Sequence, residues 1–371
     1  MEFALPMPFL PPSPSMKHPI LLALLLAAAV SAWPAPSRAA APFDGGGEQR
    51  YRIWVSPDGP VSDINVAIER AVPGTDIMVR AGTYRGPVKF SKNGTESAPI
   101  RLISADGHGK ARIVSEKTGI YGFGTRNVGV FGFHVIAGAG GNGIQFGLSG
   151  RDTSDMSRYA RNIVIADNLV ERAGEDGIKI SQADNVHLYR NIVRDSGADR
   201  NDNGDGGIDL VAVNRSRLVG NIVDGTPGHT CLMMKGGSEG NFVAGNIMKG
   251  CERDGISVGG LTTGRWMRPG TDSEAKYNTV VGNDIEAGRV GLLIYGATGN
   301  KVARNLCAGR RACLNERVSN RGHEPMHNHD NLLENNEREP APGIGTAAVQ
   351  GGDLARWADL HRTDVLPAGS R

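Results

Sequence analysis

The sequence predicts an all-β, right-handed parallel β-helix, a solenoid with a short capping helix at its N-terminal end. The first observation is a recurring phrase of a glycine, an aliphatic residue, any residue and a second aliphatic residue. Successive phrases are 24, 34, 30, 24, 24 and 36 residues apart, and self-similarity on this scale indicates a solenoid. The second is composition, since 52 of 371 residues are glycine and the repeats are rich in β-branched residues, which favours short strands and tight corners.

The repeats can be laid over one another as coils of about 24 residues, with three insertions. Cys231 fills the glycine slot of one coil, and the other slots are Gly119, Gly143, Gly177, Gly207, Gly255 and Gly291. An asparagine column at one corner is predicted to stack its amides, at Asn168, Asn191, Asn221, Asn246, Asn283 and Asn305. Inward ladders are predicted at Ile178, Ile208, Leu232, Ile256 and Leu292, and at Ile180, Leu210, Met234, Val258 and Ile294.

Before the first coil, residues 51–55 are predicted to form a strand, followed by a short amphipathic helix capped by Ser62. The helix places Ile64, Ala67, Ile68 and Ala71 on one face. Strands at 76–80 and 99–104 follow. Such a helix would cover the open end of the solenoid, as capping units do.

The chain divides into four predicted segments. Residues 1–41, with Met16 as an alternative start, read as a secretory signal peptide, because a charged residue, an apolar run and small residues follow in that order. Residues 42–118 form the cap and first coils, 119–336 the coils, and 337–371 an irregular tail with a short helix near 354–361. The protein is therefore expected in the periplasm or outside the cell, as a monomer without a membrane span after signal cleavage.

The net charge is +2, which gives no reason to expect a nucleic-acid ligand. There are four cysteines, and an exported protein can form disulfides. Cys307 and Cys313 are close enough in sequence to pair. Cys231 and Cys251 are expected to be small buried thiols.

Three insertions border one strand column, at 149–161, 195–205 and 260–276, and insertions on one face usually build the binding face of a solenoid. The outward residues there include candidate catalytic groups, namely Lys235, Arg253 and His229. Candidate substrate-binding residues in the same column or its insertion are Lys179, Asp209, Arg265, Trp266, Arg268 and Tyr295.

These residues suit β-elimination in a uronic-acid polymer. A base removes the C5 proton beside the carboxylate, and cations must neutralise that carboxylate because its charge keeps the proton weakly acidic. Lys235 can be the base if neighbouring arginines depress its pKa. His229 can equally be a partly buried histidine bound to a turn, and outward charges on a solenoid are usually a solvated face.

Acidic residues crowd the second insertion, and Asp205 with Asp209 could bind Ca²⁺ there. The same Asp and Asn residues are also ordinary turn formers. Carboxyls at Asp205, Asp209 and Asp254 leave an inverting glycoside hydrolase open as another interpretation.

Residues 71–84 and 94–100 resemble the opening of right-handed β-helix proteins of the pectate-lyase-like superfamily. The alginate lyase and chondroitinase B family is similar over about residues 50–335, together with β-helix repeat proteins of no assigned activity. Leu232–Lys235 resembles the segment that carries that family's catalytic lysine, so the resemblance implies Lys235 as the base. It would place the family's arginine near Val258 or Gly259 and its calcium ligands at Gly228 and Thr230, and none of these matches.

The sequence therefore predicts a carbohydrate-active protein, first a polysaccharide lyase on an acidic polysaccharide. A C5-epimerase on the same scaffold begins with the same proton abstraction. A third interpretation is a non-catalytic glycan-binding solenoid, which would have the same binding groove but would not catalyse a reaction.

Overall fold

The computed structural model of this protein describes residues 50–198, 205–320 and 324–336. The predicted signal peptide, C-terminal tail and tail helix lie outside these residues. The described part is all-β and parallel, with one α-helix, α1 (Ile64–Arg70). No helix within the described ranges has the length and apolar character needed to cross a membrane.

The strands are short and follow one another around the solenoid. The first group is β1 (Tyr51–Val55), β2 (Thr75–Val79), β3 (Gly82–Arg85), β4 (Val88–Lys89), β5 (Ile100–Ser104), β6 (Ala111–Val114), β7 (Ile120–Phe123), β8 (Arg126–Phe131), β9 (His134–Ile136) and β10 (Ile144–Gly147). The second is β11 (Ala160–Ala166), β12 (Leu169–Glu171), β13 (Ile178–Tyr189), β14 (Ile192–Arg194), β15 (Ile208–Asn214), β16 (Arg217–Val219), β17 (Ile222–Thr226), β18 (Leu232–Lys235), β19 (Ser238–Glu239), β20 (Phe242–Ala244) and β21 (Ile247–Cys251). The third is β22 (Asp254–Gly259), β23 (Ala275–Lys276), β24 (Thr279–Val281), β25 (Asp284–Ala287), β26 (Val290–Tyr295), β27 (Ala297–Thr298), β28 (Lys301–Ala303), β29 (Leu306–Gly309), β30 (Ala312–Arg317) and β31 (Leu332–Glu334).

The strands stack into three faces. Face 1 contains β4, β7, β10, the first part of β13 and of β15, β18, β22, β26 and β30. Face 2 contains β1, β2, β5, β8, β11, the last part of β13 and of β15, β16, β19, β20, β23, β24, β27, β28 and β31. Face 3 contains β3, β6, β9, β12, β14, β17, β21, β25 and β29. β13 and β15 bend from face 1 into face 2 at Gln182 and Ala212, whose φ values are 46° and 56°.

The predicted inward ladders are confirmed. Ile178 pairs with Ile208, then Leu232, Ile256 and Leu292 on successive strands, and all are fully buried. Each apolar side chain therefore packs on its counterpart one coil away, and burial of a side chain of this size stabilises the fold by about 1.5–3 kcal/mol.

The N-terminal helix forms as predicted, but its cap differs. Asp63, not Ser62, is the N-cap residue, and its carboxylate accepts a hydrogen bond from the Asn65 amide at 2.8 Å. Ile64, Ala67 and Ile68 are buried where the helix contacts β1, β2 and β4. The helix thus covers the first coils, which begin at residue 51.

The predicted asparagine column is confirmed and runs on to Asn336. Each amide nitrogen donates to the side-chain oxygen of the next asparagine, as Asn191 does to Asn221 at 3.0 Å. The residue before each asparagine is left-handed, for example Arg190 at φ 51° and Gly220 at φ 67°, which turns the chain from face 2 to face 3. A second column, which the sequence analysis did not separate, links Asn241, Asn278, Asn300 and Asn331.

Replacing Asn221 by alanine is expected to lower the free energy of unfolding by about 2 kcal/mol. The buried Asn221 amide donates to Leu188 O at 2.9 Å, and its oxygen accepts from the Asn191 backbone at 3.0 Å, so the variant leaves buried groups unsatisfied. Urea unfolding measures the loss. Asn320→Ala, at an exposed position, is the control, and equal midpoints for both variants would contradict the role of the column.

The cysteine expectations are resolved differently for the two pairs. Cys307 and Cys313 form a disulfide, as their spacing allowed. The expectation of free thiols at Cys231 and Cys251 was wrong, because these two are also bonded, with their Cα atoms 5.3 Å apart. A separation of 20 residues is close to one coil, so the chain returns beside its starting point.

Candidate functional site

The outward side chains of face 1 line up across the middle coils. Lys179 on β13 is in register with Asp209 on β15, and Asp209 with Met233 on β18. Lys235 stands two residues further along β18, in register with Val211. Adjacent parallel strands are about 4.8 Å apart, so these side chains lie next to one another.

Asp209 lies at the centre of an ion cluster. Its carboxylate is fully buried and pairs with Lys179, and Lys235 Nζ lies 3.3 Å from the same oxygen. Lys179 also donates to Asp176 at 3.0 Å. Burial raises the pKa of the Asp209 carboxyl, but the ammonium groups of Lys179 and Lys235 outweigh it and leave that pKa lowered. The cluster fixes both lysines on the outer side of face 1.

A histidine and an arginine stand beside this cluster. Arg253 donates from Nη1 to His229 Nε2 at 2.7 Å, so the imidazole carries its proton on Nδ1. Burial, together with the positive charges of Arg253 and Lys235, lowers the pKa of His229 to about 4. His229 is consequently an uncharged imidazole at neutral pH.

Two carboxyls near the cluster have raised rather than lowered pKa values. Burial raises the pKa of Asp205 to about 7, helped by the negative charges of Asp176 and Glu175. Burial also raises the pKa of Asp176 to about 6. The Oδ2 atom of Asp205 and the Oδ1 atom of Asp209 are buried without a hydrogen-bond partner within the described ranges.

Two of the predicted insertions meet along one side of face 1. Thr153 donates to the Arg265 carbonyl at 2.8 Å, and Gln182 donates to the Trp266 carbonyl at 3.1 Å. Arg268 lies over the Tyr159 ring at 5.2 Å. Residues 149–159 and 260–274 thus form a wall beside the ion cluster, and Arg265 and Trp266 are exposed on it.

Comparison with known proteins gives structural likeness only. No protein-family model and no curated protein sequence matches the chain. Among solved structures, the pectate lyase Pel9A has a TM-score of 0.51 at 13% identity, covering 72% of this chain and 72% of that one. An alginate lyase from Paenibacillus sp. str. FPU-7 has a TM-score of 0.48 at 15% identity, covering 72% and 97%. The mannuronan C-5 epimerase A-module AlgE4 of Azotobacter vinelandii has a TM-score of 0.41 at 13% identity, and the match covers 76% of this chain and 87% of that one.

The chain has the pectate-lyase-like β-helix fold. At this identity the likeness establishes the fold and leaves the activity to be argued from the site. Pectate-lyase-like β-helices support several chemistries, so residue roles here rest on this chain's own geometry.

The β-helix brings together most of the predicted site residues. Lys235, Lys179 and Asp209 are in contact, and His229 pairs with Arg253 beside them. Lys235 also lies against the third insertion, since a Cβ on Gly260 would come within 2.9 Å of the Lys235 Cβ. Lys235 therefore faces outward and borders residues 260–276, which a role in the predicted β-elimination requires.

Other predicted residues are placed differently. Arg268 is nearly buried and forms an ion pair with Asp184 at 3.0 Å, so it holds the insertion against face 2. Tyr295 lies on β26, in register with Gly259 and two strands beyond Lys235. Asp176 was missed, although its position directly before a glycine slot was a usable signal.

The calcium expectation for Asp205 and Asp209 finds no support in this arrangement. Asp209 already pairs with two ammonium groups. No group of three or more His, Cys, Asp or Glu side chains that could hold a metal ion occurs in the described part of the β-helix.

Replacing Asp205 by asparagine is expected to stabilise the protein above pH 7 by about 1–2 kcal/mol. The native pKa near 7 exceeds the ordinary value of 3.8, so between these pH values the native state holds a proton that the unfolded state has lost. Stability of the natural protein is therefore lost as pH rises from 4 to 7. Urea unfolding at pH 4 and pH 8 should show a gain only at pH 8. Exposed Asp58→Asn should show none, and a gain independent of pH would refute the assignment.

Proposed function

We propose that the protein is an exported polysaccharide lyase that cleaves a uronate-containing polymer by β-elimination on face 1. The observation that carries the proposal is an uncharged His229 set against Arg253 and Lys235. Elimination needs a base that is unprotonated at the working pH and cations that neutralise the uronate carboxylate. This arrangement supplies both within one surface.

The structure suggests a different division of roles from the one that the sequence predicts. Lys235 is ion-paired with Asp209 at 3.3 Å, so it is suited to act as a cation. His229 is uncharged near neutral pH, so it is suited to act as the base. Arg253 holds Nε2 of the imidazole until a ligand competes for the guanidinium.

A uronate carboxylate is the ligand that can make that exchange. Arginine binds carboxylates in a bidentate manner, so the substrate draws Arg253 away from His229 and frees Nε2. The same negative charge offsets the cations that help to depress the imidazole pKa, which makes His229 more basic as the substrate binds.

The steps then balance as follows. His229 Nε2 takes the C5 proton, the electrons of that bond form the C4–C5 double bond, and the C4–O bond breaks. The leaving oxygen takes a proton from water. Return of a proton to C5 from the other face, without loss of the C4 oxygen, would instead be epimerisation.

An inverting glycoside hydrolase is the second candidate. Asp205 has a pKa raised to about 7, which suits a general acid that protonates a leaving oxygen. Its partner would have to be a free carboxylate, whereas Asp209 pairs with two lysines and Asp254 with Arg289.

The purified chain is to be incubated with alginate, pectate, hyaluronan and chondroitin. A lyase produces an unsaturated uronate that absorbs in the ultraviolet. New reducing ends without that absorbance would favour the hydrolase, and exchange of the C5 proton with solvent deuterium alone would favour the epimerase. Binding of a polymer without any of these changes would leave a glycan-binding solenoid and overturn the lyase proposal.

A further inference from the structure

We propose that Tyr121 and Phe123, at the N-terminal end of face 1, form a second carbohydrate subsite for the polymer that reaches Lys235. This inference rests on the proposed function for its ligand class, an acidic polysaccharide. Its occupant is a stretch of the same chain several sugar units away from the cleaved bond.

Both rings point outward where the fold does not require them, Phe123 exposed and Tyr121 half-buried. They occupy outward positions of β7, their centroids are 5.5 Å apart, and 48% of the Phe123 surface is accessible. The inward ladder beneath them is filled by Ile120 and, one coil on, by Phe146, both fully buried. Exposed aromatic pairs of this kind offer flat apolar faces that suit the apolar face of a sugar ring.

A pocket of about 510 Å³ opens beside Phe123. Polar side chains of Lys89, Asn93 and Ser149 share its lining, so a ligand there meets hydrogen-bonding groups as well as an aromatic ring. This mixture of a few polar groups around apolar surface is typical of small-ligand sites.

The charges around the pocket favour an acidic sugar. Lys89 lines it, and a Cβ on the lining residue Gly150 would come within 2.5 Å of the Arg158 guanidinium. Two carboxylates are close to cations of this region. Glu69 accepts from the Ser91 hydroxyl and lies 3.7 Å from Lys92. Asp152 accepts from the Ser154 hydroxyl, which together with the charge of Arg158 lowers the pKa of that carboxyl. Among the described residues that line the pocket, Lys89 is the one that carries a charge, so the lining itself is positively charged.

The subsite and the ion cluster lie on one ladder of face 1. Phe123 is in register with Gly147, then Ser181, Val211 and Lys235. Four strand steps of about 4.8 Å separate the ends of this ladder by about 19 Å. Of the three residues between the ends, Gly147 and Val211 are buried and Ser181 is half-buried, and none carries a charge or a ring.

A polymer long enough to occupy both regions would bind through two linked contacts. The second contact is then intramolecular, so affinity should rise steeply once the chain spans the distance and should change little for shorter chains. Loss of the aromatic pair should remove this increase without changing the binding of short oligomers near Lys235.

The test measures dissociation constants for oligomers of increasing length, prepared from the polymer that binds best among alginate, pectate, hyaluronan and chondroitin. Tyr121→Ala/Phe123→Ala is expected to weaken the longest chains roughly tenfold, about 1.4 kcal/mol, and to leave the shortest unchanged. Tyr51→Ala removes a ring that is 64% exposed on face 2 and is the matched control. Thermal unfolding of all three proteins confirms that each is folded.

The outcomes separate the subsite from the lyase proposal. Because binding is measured directly, a length-dependent loss in the double variant supports the subsite even if no unsaturated product forms. An elimination activity with equal long-chain affinities in the natural protein and the double variant would overturn the subsite and leave the lyase standing. Equal weakening at every length, or by Tyr51→Ala, would also overturn it, as would failure of all four polymers to bind.

Discussion

Replacing His229 by glutamine is expected to reduce the rate of elimination by roughly 10²–10⁴-fold, the contribution of a positioned general base. Glutamine keeps a polar side chain of similar reach but cannot accept the C5 proton. The Arg253 guanidinium, which donates to His229 at 2.7 Å, can donate to the glutamine oxygen instead. The rate of unsaturated-uronate formation measures the loss, and polymer affinity should change little.

Lysine variants distinguish the two assignments of the base. If Lys235 is a cation beside Asp209, Lys235→Arg should keep much of the activity and Lys235→Met should lose most of it. If Lys235 is the base, as the sequence predicts, both variants should be inactive, because arginine remains protonated. Lys301→Met removes an exposed lysine from face 2 and is the control for loss of one positive charge.

The pH profile gives an independent measurement. His229 must be unprotonated to act, and its pKa is lowered to about 4, so kcat/KM should fall as pH falls through 4 and should be level above it. A lysine base would give a rate that still rises at alkaline pH. Retention of full activity in His229→Gln, with the pH profile unchanged, would contradict the role of His229.

Much of the fold was predictable because a solenoid repeats one residue pattern in every coil. Ile208 and Ile256 occupy equivalent positions in the coil, and each confirms the register of the other. The second asparagine column was missed because it begins only at Asn241. The preceding coil has Ser216 at the equivalent position, and its backbone amide donates to the Asn241 side-chain oxygen. The Cys231–Cys251 bond forms because a separation of 20 residues is close to one coil, which places the two cysteines on adjacent turns of the chain although they are distant in sequence.

The sequence could predict which residues belong to the candidate site better than it could predict their chemical roles. Column positions placed Lys179, Asp209 and Lys235 together. They could not show that the Asp209 carboxylate would pair with both lysines, or that burial of His229 would leave it uncharged. Such roles depend on side-chain direction and on the path of the insertions, and neither follows from a repeat.

The second prediction with a large expected effect concerns the stability of the fold and a substitution at one glycine slot, Gly177. Gly177→Ala is expected to lower the free energy of unfolding by about 3 kcal/mol or more. The new Cβ would lie 2.2 Å from Val193 Cγ1 and 2.8 Å from the Gly207 carbonyl oxygen. The valine cannot move away within a packed interior, and the oxygen belongs to the neighbouring coil. Because φ at this position is not left-handed, lack of space alone requires glycine.

Cys231 shows how the slot can hold a side chain. The ladder position held by Val193 and Val223 in the preceding coils is held by Met248 in this one, and an unbranched methionine adapts to a neighbour that a β-branched valine would exclude. The glycine requirement therefore depends on the residue that faces the slot. Val193→Met should accordingly restore part of the stability that Gly177→Ala loses, which a double-mutant cycle measures.

Gly245→Asn is the matched control, because it adds a larger side chain at a glycine of the other kind. Gly245 is left-handed at φ 62° with open space around it, and Asn335 occupies the equivalent corner position at φ 51°. Its free energy of unfolding should change by less than about 1 kcal/mol, since asparagine tolerates this conformation. If Gly245→Asn proved as damaging as Gly177→Ala, conformation rather than packing would govern the glycines, and the coil register would lose its main steric argument.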